Sequence, residues 1–148
     1  MRVILLLVTF FLPLSVFASQ NHQTSIDSHL HAMESEGYTE ILSPVEDRGM
    51  KAMVSIKDID KSMAGEMDHT HHFMVVFFGE DGKPVSEGKV SLNFSKGKES
   101  FQKTHLTKMQ NQFGTDLVLA NREIYKLTVE HFGSNGEVRQ FTFTYTTK

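Results

Sequence analysis

The chain has no cysteine and no tryptophan. Without cysteine there is no disulfide framework, no thiolate zinc site, no iron–sulfur cluster and no cysteine nucleophile. Stability must therefore come from an apolar core. Clustered positive charge is also missing: 15 Lys and Arg stand against 18 Asp and Glu, a formal net charge of -3. A nucleic-acid partner needs cations gathered to neutralise phosphates, so that class is excluded. The usual catalytic constellations are absent too. No serine sits in a Gly-x-Ser-x-Gly elbow, no glycine loop cradles a phosphate, and no His-Glu-x-x-His helix is present. The carboxylates are scattered over polar strand faces and turns, so the chain is not expected to be an enzyme. Its 148 residues suffice for one globular domain.

What is present begins with an export signal. Arg2 precedes an apolar run from Val3 to Leu12, and Val16 and Ala18 supply small residues at a cut site. This is the pattern of a cleaved secretory signal peptide over residues 1–18, and it predicts a periplasmic protein. An uncleaved anchor is the alternative, but the run is short for a bilayer that takes about 20 apolar residues. No membrane span is expected in the mature chain, because no second apolar stretch approaches that length. Removing the signal takes away Arg2 and no acid, so the mature chain is mildly acidic.

Residues 19–48 are polar and mixed, and read as a flexible leader with a brief helix near 25–36. From residue 49 onward the pattern changes to alternation. Strands are predicted over 50–59, 70–78, 85–94, 101–109, 114–120, 123–132 and 138–146, with turn signals at 79–84, 95–100, 121–122 and 133–136. The stretch 70–78 is apolar on both faces and suits a central strand; 101–109 is polar and suits an edge. Phe73, Val75, Leu92, Leu127, Val129, Phe141 and Phe143 are the expected core. Seven short strands without a βαβ rhythm predict an all-β fold, an immunoglobulin-like antiparallel β-sandwich over residues 49–148.

The uneven feature is histidine and methionine. Half of the residues from 63 to 74 are Met63, Met67, His69, His71, His72 and Met74. Thioether and imidazole together suit copper, since sulfur favours Cu(I) and imidazole serves both oxidation states. The candidate metal ligands are Met63, Met67, His69, His71 and His72. His71 and His72 must point to opposite faces if both lie on the strand. Met74 lies deeper and reads as core packing. A weaker group is His105 and Met109; alternating strand direction places Met109 at the opposite end of the sandwich from the loop before Thr70. His22, His29, His31 and Met33 form a third group in the leader, which reads as solvated.

The segments Thr70-His71-His72-Phe73-Met74-Val75-Val76, Gly82-Lys83-Pro84-Val85 and Gly88-Lys89-Val90 form a recognisable series. Met109, the run Phe113-Gly114-Thr115-Asp116-Leu117, and the closing Phe143-Thr144-Tyr145 continue it. Together they resemble the small exported YtkA-like proteins, related in style to CopC-type copper carriers, over about residues 50–148. In that family a methionine-rich stretch with a histidine precedes the Phe/Tyr-Gly-x-Asp motif. Here Gln112 stands where that histidine would be, and Met109 is the one methionine left. The resemblance implies a periplasmic binding module without enzymatic activity.

Two functional readings remain open at this point. One is a periplasmic carrier or buffer of copper, or of another soft metal. The other is a metal-free interaction module of the same fold, docking on an envelope or membrane protein through a sheet edge.

Overall fold

The computed structural model of the protein describes Ser28, His31 and residues 40–59, 69–99 and 101–148. The signal segment, most of the leader, and the loop carrying Met63 and Met67 lie outside the described residues.

The described chain forms two antiparallel sheets. The larger holds β1 (Glu40–Ile41), β2 (Val45–Asp47), β3 (Met50–Asp58), β4 (His71–Phe78), β5 (Pro84–Val85), β8 (Thr107–Met109) and β9 (Gln112–Leu117). Its main order is β1-β3-β4-β9-β8, with β2 on β3 and β5 on β4. The smaller sheet has the order β11-β10-β6-β7, from β6 (Lys89–Lys96), β7 (Gln102–His105), β10 (Ile124–Phe132) and β11 (Val138–Thr146). Two short strands, β1 and β2, lie within the stretch read as leader.

Alternation explains how the sheets face each other. Along β4 the odd residues Phe73, Val75 and Phe77 point inward, level with Ile56, Val54 and Ala52 of β3. On the opposite sheet Val129 sits between Phe141 of β11 and Leu92 of β6. All seven expected core residues fall in this one cluster, and each is buried. Phe77 is its aromatic centre, with ring contacts to Phe113, Phe141 and His131. A smaller apolar cluster of Met53, Val76 and Phe78 lies on the other face of the larger sheet. This is why β4 reads as apolar on both faces.

One predicted strand is divided. Residues 101–109 form β7 in the smaller sheet and β8 in the larger, with Leu106 between them. Leu106 is buried in the core, and its N–H donates to the Val90 carbonyl (3.0 Å). The chain thus changes sheets at a single residue. A two-residue turn at Gln110 and Asn111 follows, with Gln110 at φ 56°, and returns the chain as β9.

At the other side of the smaller sheet, the exposed edge of β11 is blocked. The Gln140 N–H donates to Asp47 Oδ2 (3.0 Å), and the Arg48 guanidinium donates to the Val138 carbonyl. Side chains of the β2–β3 turn thereby occupy backbone groups that another strand would otherwise pair with. The Arg48 guanidinium beside Asp47 holds that carboxyl below its ordinary range.

Candidate metal centre

The outer face of the larger sheet carries a groove of about 410 Å³ where β4, β9 and β8 meet. His69, His72, Thr107, Met109, Gly114 and Asp116 are among the residues that line it. Strand register places them: His72 is level with Asp116, Met74 with Gly114, and Gly114 with Thr107. Because side chains alternate, His72, Met74, Gly114, Asp116, Thr107 and Met109 all share this face.

His72 is half-buried, and its Nδ1 lies 2.5 Å from Asp116 Oδ1. A ring nitrogen facing a carboxylate carries the proton, so Nδ1–H donates to Asp116, and in the neutral ring Nε2 is the lone-pair nitrogen. A carboxylate on one imidazole nitrogen with the other free is the arrangement that orients metal-ligating histidines. His69 stands at the groove's rim, just before β4.

His71 lies on the opposite face, as strand alternation requires. It is buried at the end of the sandwich, edge-on to Tyr145 with ring centroids 5.9 Å apart. Its Nδ1 meets Thr70 Oγ1 (2.7 Å) and its Nε2 lies 3.4 Å from Asp58 Oδ1. Burial pushes its pKa down, and the Asp58 charge pulls against that. The same burial raises the Tyr145 phenol to about 12. His71 therefore does not face the groove, and its bonds belong to the packing of the sandwich end.

The expectation for Met109 is corrected. Sheet switching at Leu106 delivers Met109 to the larger sheet, and β9 pairs only with His71 to Val75 of β4. The β8–β9 turn therefore stops halfway along β4, so Met109 reaches the groove with His69 and His72. His105 does not follow it: it is exposed in β7, level with Ser91 in the other sheet. Met63 and Met67 lie outside the described residues.

Met74, expected as core, is buried but on the outer face. A Cβ placed on Gly114 would overlap Met74 Sδ and lie 3.5 Å from Met109 Sδ. The thioethers of two strands thus both border the space beside one glycine. Asp116, Gly114 and Met74 were not among the predicted site residues. The spacing of His72 and Met74, two apart on a strand, was a visible signal for Met74. The pairing of Asp116 with His72 depends on register, which the sequence does not display.

Among the described residues no three His, Asp or Glu side chains gather in a way that could hold a metal ion. The donors here are one oriented imidazole, a second imidazole at the rim, and two sulfurs. That set suits a soft ion better than a hard one. The donor types present therefore fit copper.

No family model and no curated protein sequence matches the chain. Solved structures do. The 'as isolated' FetP of uropathogenic Escherichia coli strain F11, recombinantly expressed in the periplasm, matches at 14% identity with a TM-score of 0.51. The match covers 74% of this chain and 96% of that one. A copper-bound variant of the same FetP also matches at 14% identity and TM-score 0.51, over 74% of this chain and 92% of that one. At this identity the likeness is one of fold: the β-sandwich is shared. Among the described residues no helix is long and apolar enough to cross a membrane.

Proposed function

We propose that this is an exported binding protein that carries or buffers copper in the periplasm. The observation that carries the reading is the His72–Asp116 pair lining a groove it shares with His69 and Met109. Asp116 fixes the ring and the tautomer, so Nε2 is presented as a ready donor without an ordering cost on binding. His69 adds an imidazole from a less constrained position. Met63 and Met67 stand in the sequence close before it and are further sulfur donors. Two features support the reading from outside the site: the signal-like segment at residues 1–18, and a copper-bound protein among the structures of similar fold.

The role is binding and not catalysis. A carrier needs ligands that hold an ion and release it, and a groove open to solvent permits exchange with a partner. Copper is the cargo here, taken up and handed on.

Metal analysis of the protein, purified without a histidine tag, tests this directly. Anaerobic titration with Cu(I) against a competing chelator should show one tight site, and His72→Ala should weaken it by tenfold or more. No binding by the parent protein would overturn the reading, and would favour a metal-free module that docks on an envelope protein. Mass spectrometry of periplasmic protein should give a chain beginning at Ser19 or within two residues of it; intact Met1 in the membrane fraction would refute export with cleavage.

A further inference from the structure

We propose that Met74 and Met109 form a thioether pair above Gly114 that, with His72, selects a monovalent soft ion, Cu(I) or Ag(I). The inference rests on the copper reading and names its ligands and its selectivity.

Three observations converge. First, Met74 is 5% exposed, yet among the described residues it belongs to neither apolar cluster. The inner cluster takes Phe73, Val75 and Phe77 from β4, and the outer one takes Val76 and Phe78. Met74 lies between His72 and these residues, so its sulfur is not a gap-filler of either cluster.

Second, Gly114 is not required by its backbone. The turn glycines Gly49, Gly82 and Gly136 have positive φ, whereas Gly114 does not. What the glycine provides is space. Its missing side chain would overlap Met74 Sδ and touch Met109 Sδ at 3.5 Å. An alanine Cβ would overlap the Met74 sulfur and crowd the Phe73 carbonyl at 3.1 Å, so the absence of a Cβ makes room for the Met74 sulfur in a space that Met109 Sδ also borders.

Third, the charges suit a single positive ion. The thioethers are neutral and His72 Nε2 is a neutral donor. The nearest carboxylate, Asp116, holds the other ring nitrogen of His72 rather than the groove's centre. A divalent ion favours oxygen and nitrogen donors in greater number, and no third such group joins the pair among the described residues. Two sulfurs and one imidazole are a donor set that Cu(I) accepts. Met74, 5% exposed, is enclosed beside Gly114 behind the residues that line the groove, and Met109, 39% exposed, is one of those lining residues. An ion then enters past Met109 and comes to rest against Met74.

The test uses methyl-carbon-labelled methionine and Ag(I), which binds like Cu(I) and does not change oxidation state. The ε-methyl signals of Met74 and Met109, assigned by M74L and M109L, should move on addition of one equivalent of Ag(I). Those of Met50 and Met53 should stay. M74L, M109L and G114A should each lower Cu(I) affinity tenfold or more in chelator competition, with the fold intact by circular dichroism. Should G114A fail to fold, the two leucine variants decide, since they conserve volume. If the parent binds Cu(I) and all three variants bind equally well, the thioether pair is overturned while the copper reading stands. The same holds if only Met63 and Met67 signals move. If the parent binds no Cu(I), both fall.

Discussion

His71 and His72 are neighbours in the chain and sit on opposite sides of one sheet. His71 is sealed into the end of the sandwich, hydrogen-bonded to Thr70 and edge-on to Tyr145. His72 is half-buried in a groove, with Asp116 on Nδ1. The inner face of β4 is built for packing, and burial there disfavours the charged form of the His71 imidazole. The outer face, over its first half, is built from side chains with donor atoms and a glycine that leaves room for them. A cluster dense in His and Met along the sequence thus divides by strand parity into a half packed in the sandwich and a half on the groove face.

The largest expected effect comes from emptying the inner face. Phe77 touches the rings of Phe113, Phe141 and His131 and is fully buried. Phe77→Ala should cost about 3–5 kcal/mol, from lost burial plus the cavity left behind. Urea denaturation followed by circular dichroism measures this. A loss below about 1 kcal/mol would show that the inner face is not the main source of stability.

Acid should break the inner half by another route. Burial depresses the pKa of both His71 and His131 below the ordinary 6.5. His131 donates from Nε2 to the Glu87 carbonyl (2.8 Å), and its Nδ1 is buried without a hydrogen-bond partner among the described residues. Below pH 6.5 the unfolded chain takes up protons that the folded chain resists. Stability should therefore be level with respect to these two groups above that pH and fall as pH drops below it. The slope can approach about 1.4 kcal/mol per pH unit for each proton. Denaturation at pH 7.5, 6.0 and 5.0 should show this, and His131→Phe should flatten part of the slope. An unchanged slope would mean that His131 is protonated with equal ease in both states.

A smaller loss should follow from cutting the fastener beside the two histidines. Thr70 Oγ1 accepts the Leu119 N–H (2.9 Å), meets His71 Nδ1, and lies 3.2 Å from the Leu119 carbonyl. Thr70→Val keeps the volume and strands these groups, at a cost of about 1–3 kcal/mol. The amide of Leu119 should lose protection from hydrogen exchange, while that of Val75, in mid-strand, keeps it. Equal protection in both proteins would assign the fastening of that loop to other contacts.

The inner face was legible in the sequence because it obeys a period of two: Phe73, Val75, Leu127, Val129, Phe141 and Phe143 are all where alternation puts them. The division of His71 from His72 was legible for the same reason. The groove was not. Leu106 is an ordinary apolar residue with no glycine or proline beside it, so nothing marks it as the point where the chain leaves one sheet for the other. Without that change of sheet, Met109 falls at the wrong end. Asp116 and Gly114 gain their places through pairing with His72 and Met74, and a register between strands about 40 residues apart is written in no local pattern. Met74 was masked by its apolar neighbours, since a methionine inside Phe-Met-Val-Val reads as filling.

The smallest effect on stability, and the sharpest contrast, should come from His72 itself. Its hydrogen bond with Asp116 is partly exposed, and polar pairs near the surface contribute about 0–1 kcal/mol. His72→Ala should therefore change stability by less than about 1 kcal/mol while Cu(I) affinity falls tenfold or more. Asp116→Asn adds a second discrimination. The amide can still accept from Nδ1–H, so the ring stays in place, but it no longer carries the charge that raises the basicity of Nε2. Affinity should then fall by less than in His72→Ala, with stability again near the parent's. His71→Asn provides the mirror image: it opens the enclosed end of the sandwich and should lower stability, while the affinity of molecules that remain folded is unchanged. Chelator competition and urea denaturation on the same three proteins measure both quantities. If His71→Asn weakens binding as much as His72→Ala does, the division of the two faces into a packing half and a ligand half is wrong.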